Sequence, residues 1–289
     1  MWILLSIGTA VFLSLRDFYV KERTTALDSL TLSWSLYLFS IPLMAVITFI
    51  LGVPDFSGWC VKAMLIGGGC DALASLLYVQ ALRSGDLSKA IPMLSFIPVF
   101  QLLSAPLVLS EYPSLPGTIG VIIVVIGTYV INITRDSGGK LGPFRSLLKD
   151  RSCQFMLGVA LLWSISAMYH KIGVRSYPTY FWVFMVTIFI AVVLYPFIHY
   201  FSGPPWKKVF GQSKRLFLPA VFHISTLLTL YAAIALTQVA YVSSIRRLSI
   251  LISILLGIFI LKEGEVKSKL IGGSLMVSGA IIIALANVF

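Results

Sequence analysis

The segments SFIPVFQLLSAPLVLSE (residues 95–111) and RLSILISILLGIFILKE (residues 247–263) hold equivalent places in the two halves of this chain. Both are apolar over most of their length, and their final glutamates are 152 residues apart. The same offset relates the glycines that follow, Gly120 with Gly272 and Gly127 with Gly279. Matches that keep their order and their offset predict an internal repeat, in which each half of the chain folds as a similar unit.

The composition requires lipid as the surroundings of both units. Of 289 residues, 58% are hydrophobic and 11% are charged, whereas soluble domains carry about 25% charged residues. A membrane-spanning helix needs roughly 20 mainly apolar residues. Ten such windows occur, at 2–20, 31–52, 59–82, 87–109, 114–133, 154–172, 179–201, 216–236, 239–261 and 267–288. They are continuously apolar rather than alternating, which favours helices over a β-barrel.

The predicted fold is therefore an all-α membrane protein with ten transmembrane helices in two five-helix repeats. An odd number of spans in each repeat places the two repeats upside down relative to each other. The first repeat is predicted over 1–133, a basic cytoplasmic linker over 134–153 and the second repeat over 154–289. Inverted repeats around a site at the bilayer midplane are typical of secondary transporters.

Basic residues distinguish the two sides of the membrane, because excess Lys and Arg marks the cytoplasmic side. The connections after odd-numbered windows hold 16 of them: Lys21, Arg23, Arg83, Lys89, Arg135, Lys140, Arg145, Lys149, Arg151, Lys207, Lys208, Lys214, Arg215, Lys262, Lys267 and Lys269. The opposite side holds three, Lys62, Lys171 and Arg175. We expect a multi-pass protein of the cytoplasmic membrane, with both termini extracytoplasmic. The net charge of +11 then reflects topology and does not indicate a nucleic-acid partner.

Ionisable side chains inside apolar windows indicate function, because each costs roughly 2.5–3.5 kcal/mol at the bilayer centre. Asp71 lies near the middle of the third window, after three glycines. It is predicted to bind a substrate cation or a coupling proton, with a structural, hydrogen-bonded role as the alternative. His223 lies at a corresponding level of the eighth window, two residues before the counterpart of Asp71. It suits a proton-linked transport step, with a structural, hydrogen-bonded role as the alternative.

The ninth window contains Arg246 and Arg247 on a helix rich in serine, including Ser249. Adjacent helical residues point about 100° apart, so one arginine is expected to face a cavity while the other pairs with Asp71 or with backbone carbonyls. A cavity-facing arginine can hold a carboxylate or phosphate through paired donors. Ser95 lies between two prolines of the fourth window, which predict a kink beside the cavity.

The motifs resemble the drug/metabolite transporter superfamily, of the type with two EamA domains. Trp163-Ser164 followed by Lys171 is similar to the family's signature in the first helix of a repeat. The segments ending in Glu111 and Glu263 resemble its fourth-helix pattern. The resemblance implies a membrane transporter, with ten helices and a small-molecule substrate.

We therefore expect a secondary transporter, not an enzyme, which exports or exchanges a small polar metabolite, either amino-acid-like or another organic anion. Transport of a phosphorylated or lipid-linked sugar is the alternative, and a channel or an intramembrane enzyme represents another class. No catalytic or nucleotide-binding motif occurs in the sequence. The three cysteines are scattered, so neither a disulfide framework nor a metal or other cofactor is predicted. Substrate identity, coupling ion and oligomeric state are left open.

Overall fold

The computed structural model describes residues 1–23, 27–55, 58–85, 90–132, 150–261 and 267–286, and every regular element among them is a helix. The first half contains α1 (Trp2–Arg23), α2 (Ser29–Leu51), α3 (Gly58–Ser84), a 3-10 helix (Ile91–Phe96) continued by α4 (Ile97–Leu109), and α5 (Leu115–Asn132). The second half contains α6 (Arg151–Ser176), α7 (Thr179–Ser202), a short helix (Trp206–Phe210), α8 (Ser213–Leu236), α9 (Val239–Arg246), α10 (Leu248–Leu261) and α11 (Lys267–Leu285).

Many of these helices are long and apolar enough to cross a membrane. Seven segments within the described ranges satisfy both conditions, namely Trp2–Val20, Ser29–Leu51, Val61–Ser84, Ile91–Leu109, Arg151–Ser176, Thr179–Ser202 and Ser213–Leu236. Two further apolar helices are shorter, Leu115–Ile131 and Ile271–Leu285. Large apolar side chains such as Leu4, Phe49 and Leu107 lie exposed on the outer surface. Such a surface is stable in lipid rather than in water, so this is an integral membrane protein.

Two membrane helices are interrupted, one in each half. In the first half, a 3-10 helix precedes α4, as Pro92 and Pro98 predict, because proline removes a backbone donor. In the second half, the predicted span 239–261 is divided into α9 and α10 by a break at Arg247. The Arg247 N–H donates to the Ser244 carbonyl at 3.1 Å, a 3-10 contact in place of an α-helical one. The two breaks occupy equivalent positions in the repeat.

Helices of the two halves pack in pairs that follow the sequence equivalence. α1 packs on α8, and α6 packs on α3. Because α6 is the counterpart of α1 and α8 is the counterpart of α3, the two pairs are equivalent in the repeat. α2 packs on α7 and α5 packs on α11, which are pairs of counterparts. The contacts thus have the internal symmetry that the repeated glycines indicate.

α5 and α11 run antiparallel with their backbones in close contact. A Cβ added at Gly120 would lie 2.8 Å from the carbonyl oxygen of Gly279, and a Cβ added at Gly127 would lie 2.7 Å from that of Gly272. Only glycine leaves room for this approach, which is common between membrane helices. The four glycines that reveal the repeat in the sequence therefore form the contact between its two copies.

The largest apolar core lies among α2, α3, α6, α7 and α8 and contains two fully buried tryptophans, Trp34 and Trp182. The Trp34 indole N–H donates to the carbonyl oxygen of Ala191 at 2.9 Å. Trp182 packs against Gly173, where any Cβ would overlap the indole ring. A buried indole needs an acceptor for its N–H, and for Trp182 that acceptor belongs to the candidate site.

Candidate functional site

Asp71 lies on α3 and faces α6. Its Oδ2 is 2.7 Å from Nε2 of His170, and 16% of its side chain is exposed. α3 continues through the glycine run before Asp71, so this run does not unwind the helix. Gly67 instead lets α6 approach, because a Cβ there would lie 3.2 Å from Cβ of Tyr169 and 3.3 Å from the His170 ring.

Trp182 determines which nitrogen of His170 carries the proton. The indole Nε1–H, which can only donate, lies 3.2 Å from His170 Nδ1, so Nδ1 is an acceptor without a proton. The proton of the neutral imidazole is then on Nε2, from which it is donated to the Asp71 carboxylate. Tyr231 packs on the imidazole with 4.8 Å between ring centroids. His170 is thus a neutral donor whose two nitrogens are both engaged.

His223, on α8, has a different set of direct partners. Its Nδ1 lies 3.5 Å from Nη1 of Arg16, and the Tyr37 ring meets it edge-on at 4.8 Å between centroids. Its Nε2 is buried and has no hydrogen-bond partner among the described residues. The sequence predicted Asp71 and His223 in one site, but the direct partner of Asp71 is His170.

The two adjacent arginines point to different places. Arg247 Nη2 donates to the carbonyl oxygen of Leu94 at 2.8 Å and so joins the break between α9 and α10 to the 3-10 helix of the first half. Arg246 interacts electrostatically with Arg16 and Asp17 on α1, and with Tyr231 and Asp71. Within the described parts of the chain, the Arg246 guanidinium has neither an ion-pair nor a hydrogen-bond partner.

The two serines predicted at the site take part in local or interhelical bonds. The Ser95 hydroxyl donates to the Pro92 carbonyl at 2.6 Å, within the 3-10 helix. The carbonyl oxygen of Ser249 accepts from the Ser14 hydroxyl at 2.8 Å, which joins α10 to α1. Both serines are buried, and these bonds stabilise the two interrupted helices.

Five helices (α2, α3, α6, α8 and α9) contribute ionisable side chains to one polar group. This central cluster comprises Tyr37, Asp71, His170, His223, Tyr231 and Arg246. Its two full charges, on Asp71 and Arg246, have opposite signs and form no direct ion pair with each other. No set of three or more His, Cys, Asp or Glu suited to a metal occurs in the described ranges.

Three members of the central cluster, His170, Tyr37 and Tyr231, were not predicted as ligands. His170 satisfies the rule that selects Asp71 and His223, because it is an ionisable residue within an apolar window. Its neighbour Lys171 carries the family match, whereas His170 itself has no part in that motif. Tyr37 and Tyr231 gave no comparable signal, since aromatic residues in membrane helices are mostly packing groups.

A second polar cluster lies where α4 ends, beside the C-terminal part of α6. Glu111 Oε1 is 2.5 Å from Nζ of Lys171 and 2.8 Å from Nη2 of Arg175. Lys171 also donates to the Thr237 carbonyl, between α8 and α9. The side chain of Lys171 is only 1% exposed. We call Glu111, Lys171 and Arg175 the Glu111 cluster; the equivalent Glu263 lies outside the described residues.

Interrupted apolar helices that bring ionisable side chains together inside the bundle define a polytopic membrane protein of the transporter type. The model of the EamA-like transporter family matches residues 1–133 and 151–285. The chain therefore belongs to this family of membrane transporters, within the drug/metabolite transporter superfamily. The resemblance that Lys171, Glu111 and the repeated glycines indicated is confirmed.

Solved structures share the fold. One, titled "Crystal structure of protein", matches with a TM-score of 0.75 at 16% sequence identity, over 98% of this chain and 97% of that chain. At this identity the likeness concerns the fold alone. No curated protein matches the chain.

Proposed function

We propose that the protein is a secondary transporter that exports or exchanges a small polar solute carrying negative charge, either amino-acid-like or another organic anion. The observation that carries the proposal is the Arg246 guanidinium, which interacts electrostatically with the central cluster and has no anionic contact of its own among the described residues. An intramembrane cation without a partner is costly, and a solute carboxylate would supply the missing partner through paired hydrogen bonds.

Neighbouring groups in the central cluster suit the same ligand. The buried His223 Nε2 has no hydrogen-bond partner in the described part of the chain, and His223 interacts electrostatically with Arg246. Tyr37 and Tyr231 add hydroxyl groups and ring faces beside both charges. Asp71 lies opposite in charge, so a cationic group of the solute or a proton would complete its contacts.

The proposed mechanism is alternating access between two inverted five-helix repeats that together provide ten membrane spans. The antiparallel contact of α5 with α11, at Gly120–Gly279 and Gly127–Gly272, supports the inverted arrangement because these helices are counterparts. The interrupted helices support it as well, since discontinuous helices at a repeat interface hold the substrate in many transporters. We further propose both termini to be extracytoplasmic, in the cytoplasmic membrane.

Counterflow in liposomes tests the proposal. Purified protein is reconstituted into vesicles loaded with unlabelled glutamate, succinate or inorganic phosphate, and entry of the same labelled compound is followed. A carrier gives saturable, transient accumulation for at least one compound, whereas a channel gives linear equilibration. Absence of accumulation for a panel widened to neutral amino acids and sugar phosphates would contradict the proposal.

A phosphorylated or lipid-linked sugar is the second candidate substrate. Arg16 lies beside His223 at 3.5 Å and interacts electrostatically with Arg246, so two guanidinium groups lie near one imidazole. A phosphate, with two negative charges and several acceptor oxygens, would contact both. Counterflow of glucose 6-phosphate without counterflow of glutamate or succinate would favour this candidate.

A further inference from the structure

We propose that Asp71 is the proton-binding site of this transporter and that His170 is its fixed, neutral hydrogen-bond donor. The proposal deepens the function given above and rests on it. Histidine is the usual first choice for a proton site near neutral pH, and this chain places one histidine directly on an intramembrane carboxylate. The geometry nevertheless assigns the exchangeable proton to the carboxylate.

His170 cannot take up a proton without losing a buried hydrogen bond. A second proton would have to bind Nδ1, which already accepts the Trp182 indole N–H at 3.2 Å. Two N–H groups would then face each other, between a tryptophan that is 0% exposed and a histidine that is 2% exposed. A buried donor left without an acceptor is strongly unfavourable, so Trp182 keeps His170 in its neutral form.

Asp71, in contrast, keeps one oxygen available. Its Oδ2 accepts from His170, and its Oδ1 has no hydrogen-bond partner among the residues described. A proton that enters from one side of the membrane binds Oδ1, which changes the carboxylate from −1 to neutral. It leaves from the same oxygen when the site opens to the other side. His170 remains a donor to Oδ2 in both states.

Five titratable or charged groups contact Asp71 or interact electrostatically with it: Tyr37 on α2, Cys70 on α3, His170 on α6, Tyr231 on α8 and Arg246 on α9. Tyrosine and cysteine side chains are neutral near pH 7, and His170 is held neutral. Among these five groups Arg246 then carries the full charge beside Asp71. Arg246 also interacts electrostatically with Arg16 and Asp17 on α1, so the proton state of Asp71 is one contribution to the field that an anion at Arg246 experiences.

Proton binding and anion binding are therefore coupled. An ionised Asp71 repels an anion that contacts Arg246, and protonation of Asp71 removes this repulsion. By thermodynamic reciprocity, the bound anion favours the proton by the same factor. We expect anion affinity to increase about fivefold or more when Asp71 becomes protonated, because site–site coupling typically changes affinity by about this factor or more.

Infrared difference spectroscopy of the purified protein tests proton binding without any substrate. Between about pH 8 and about pH 5, exposed carboxylates stay mostly ionised, so a new carboxylic-acid C=O band reports an unusual site. We expect this band in the wild type and in the control Asp55→Asn, which changes an exposed aspartate after α2. The band should be missing in Asp71→Asn, and its persistence there would overturn the proposal.

Two tryptophan variants test the role of His170. Trp182→Phe removes the donor to Nδ1, so His170 becomes free to titrate and a new pH-dependent step should appear in its ¹⁵N-histidine signal. Trp34→Phe is the matched control, because this tryptophan is equally buried but donates to the carbonyl of Ala191. A doubly protonated His170 in the wild type between about pH 8 and about pH 5 would contradict the fixed neutral form.

Transport assays distinguish a failure of the proposed proton site from a failure of the proposed carrier function. In the vesicle assay with glutamate, succinate or phosphate, Asp71→Asn should remove the pH dependence from whatever counterflow remains, because asparagine mimics the neutral acid. Wild-type pH dependence in Asp71→Asn would overturn the proton site while leaving the carrier intact. Loss of counterflow in the wild type would instead contradict the carrier.

Discussion

At the residue scale, Arg246 and Arg247 show how two adjacent and identical side chains acquire different roles. Arg247 donates to the Leu94 carbonyl at 2.8 Å, a bond that fixes the junction between two interrupted helices. Arg246 interacts electrostatically with Asp71 and Tyr231, as well as with Arg16 and Asp17 on α1, and is the proposed contact for the substrate anion. Adjacent helical residues point about 100° apart, so the two side chains reach different partners, and substitution to lysine tests their roles separately.

Arg246→Lys should raise the KM for the transported anion about tenfold, because lysine keeps the charge but loses the planar fork. Loss of one charge-assisted hydrogen bond, about 1.5 kcal/mol, accounts for this factor. Arg247→Lys is the matched control and should lower the apparent Tm while KM barely changes. Counterflow kinetics and thermal unfolding of both variants provide the measurement, and an unchanged KM in both would rule out the substrate role.

At the element scale, close helix contacts depend on glycines whose counterparts face each other. Gly120→Ala and Gly127→Ala should each cost about 1–3 kcal/mol, because their methyl groups would overlap backbone carbonyl oxygens of α11. Gly69→Ala on α3 is the control, since nothing lies within 4 Å of the added methyl group and alanine is the better helix former. Unfolding in detergent should rank the three variants, and a neutral Gly120→Ala would contradict the close contact.

The Glu111 cluster is a second contact between helices, in which ion pairs join the end of α4 to α6. Lys171→Met should destabilise the protein by about 3–5 kcal/mol, because it leaves a largely buried carboxylate without its buried partner. Arg175→Gln removes the partner that is 50% exposed and should cost about 1 kcal/mol or less. Thermal unfolding of the two variants compares them directly; equal losses would contradict the dominance of the buried pair.

At the scale of the whole molecule, the orientation in the membrane is open to a direct test. We start from a background without Cys60, Cys70 and Cys153. A cysteine at Gly211, between α7 and α8, should be protected in intact cells from an impermeant thiol reagent, whereas one at Tyr112 should react. Lys and Arg collect on the predicted cytoplasmic side, and Tyr112 is 75% exposed. The reverse labelling pattern, including external labelling of a cysteine in 140–150, would refute extracytoplasmic termini.

Much of the architecture is encoded locally in the sequence. Apolar length predicts the helices because the bilayer demands it, and equally spaced glycines predict the repeat. The sequence also singles out Asp71, His223, Arg246 and Arg247, because ionisable groups are rare in lipid. Family membership follows from the same local motifs, over both halves of the chain.

Only the tertiary structure decides which of these side chains meet. Asp71 and His170 are 99 residues apart, and nothing in either segment specifies that α3 and α6 bring them to 2.7 Å. Glu111 belongs to a family motif in the sequence, but only the structure shows that it pairs with Lys171 on another helix. The sequence by itself determines helices, repeat and family, because apolar length and glycine spacing act along one segment. The partners of each side chain depend on how separate helices pack and rotate against one another and on the break at Arg247, because side-chain contacts join different helices.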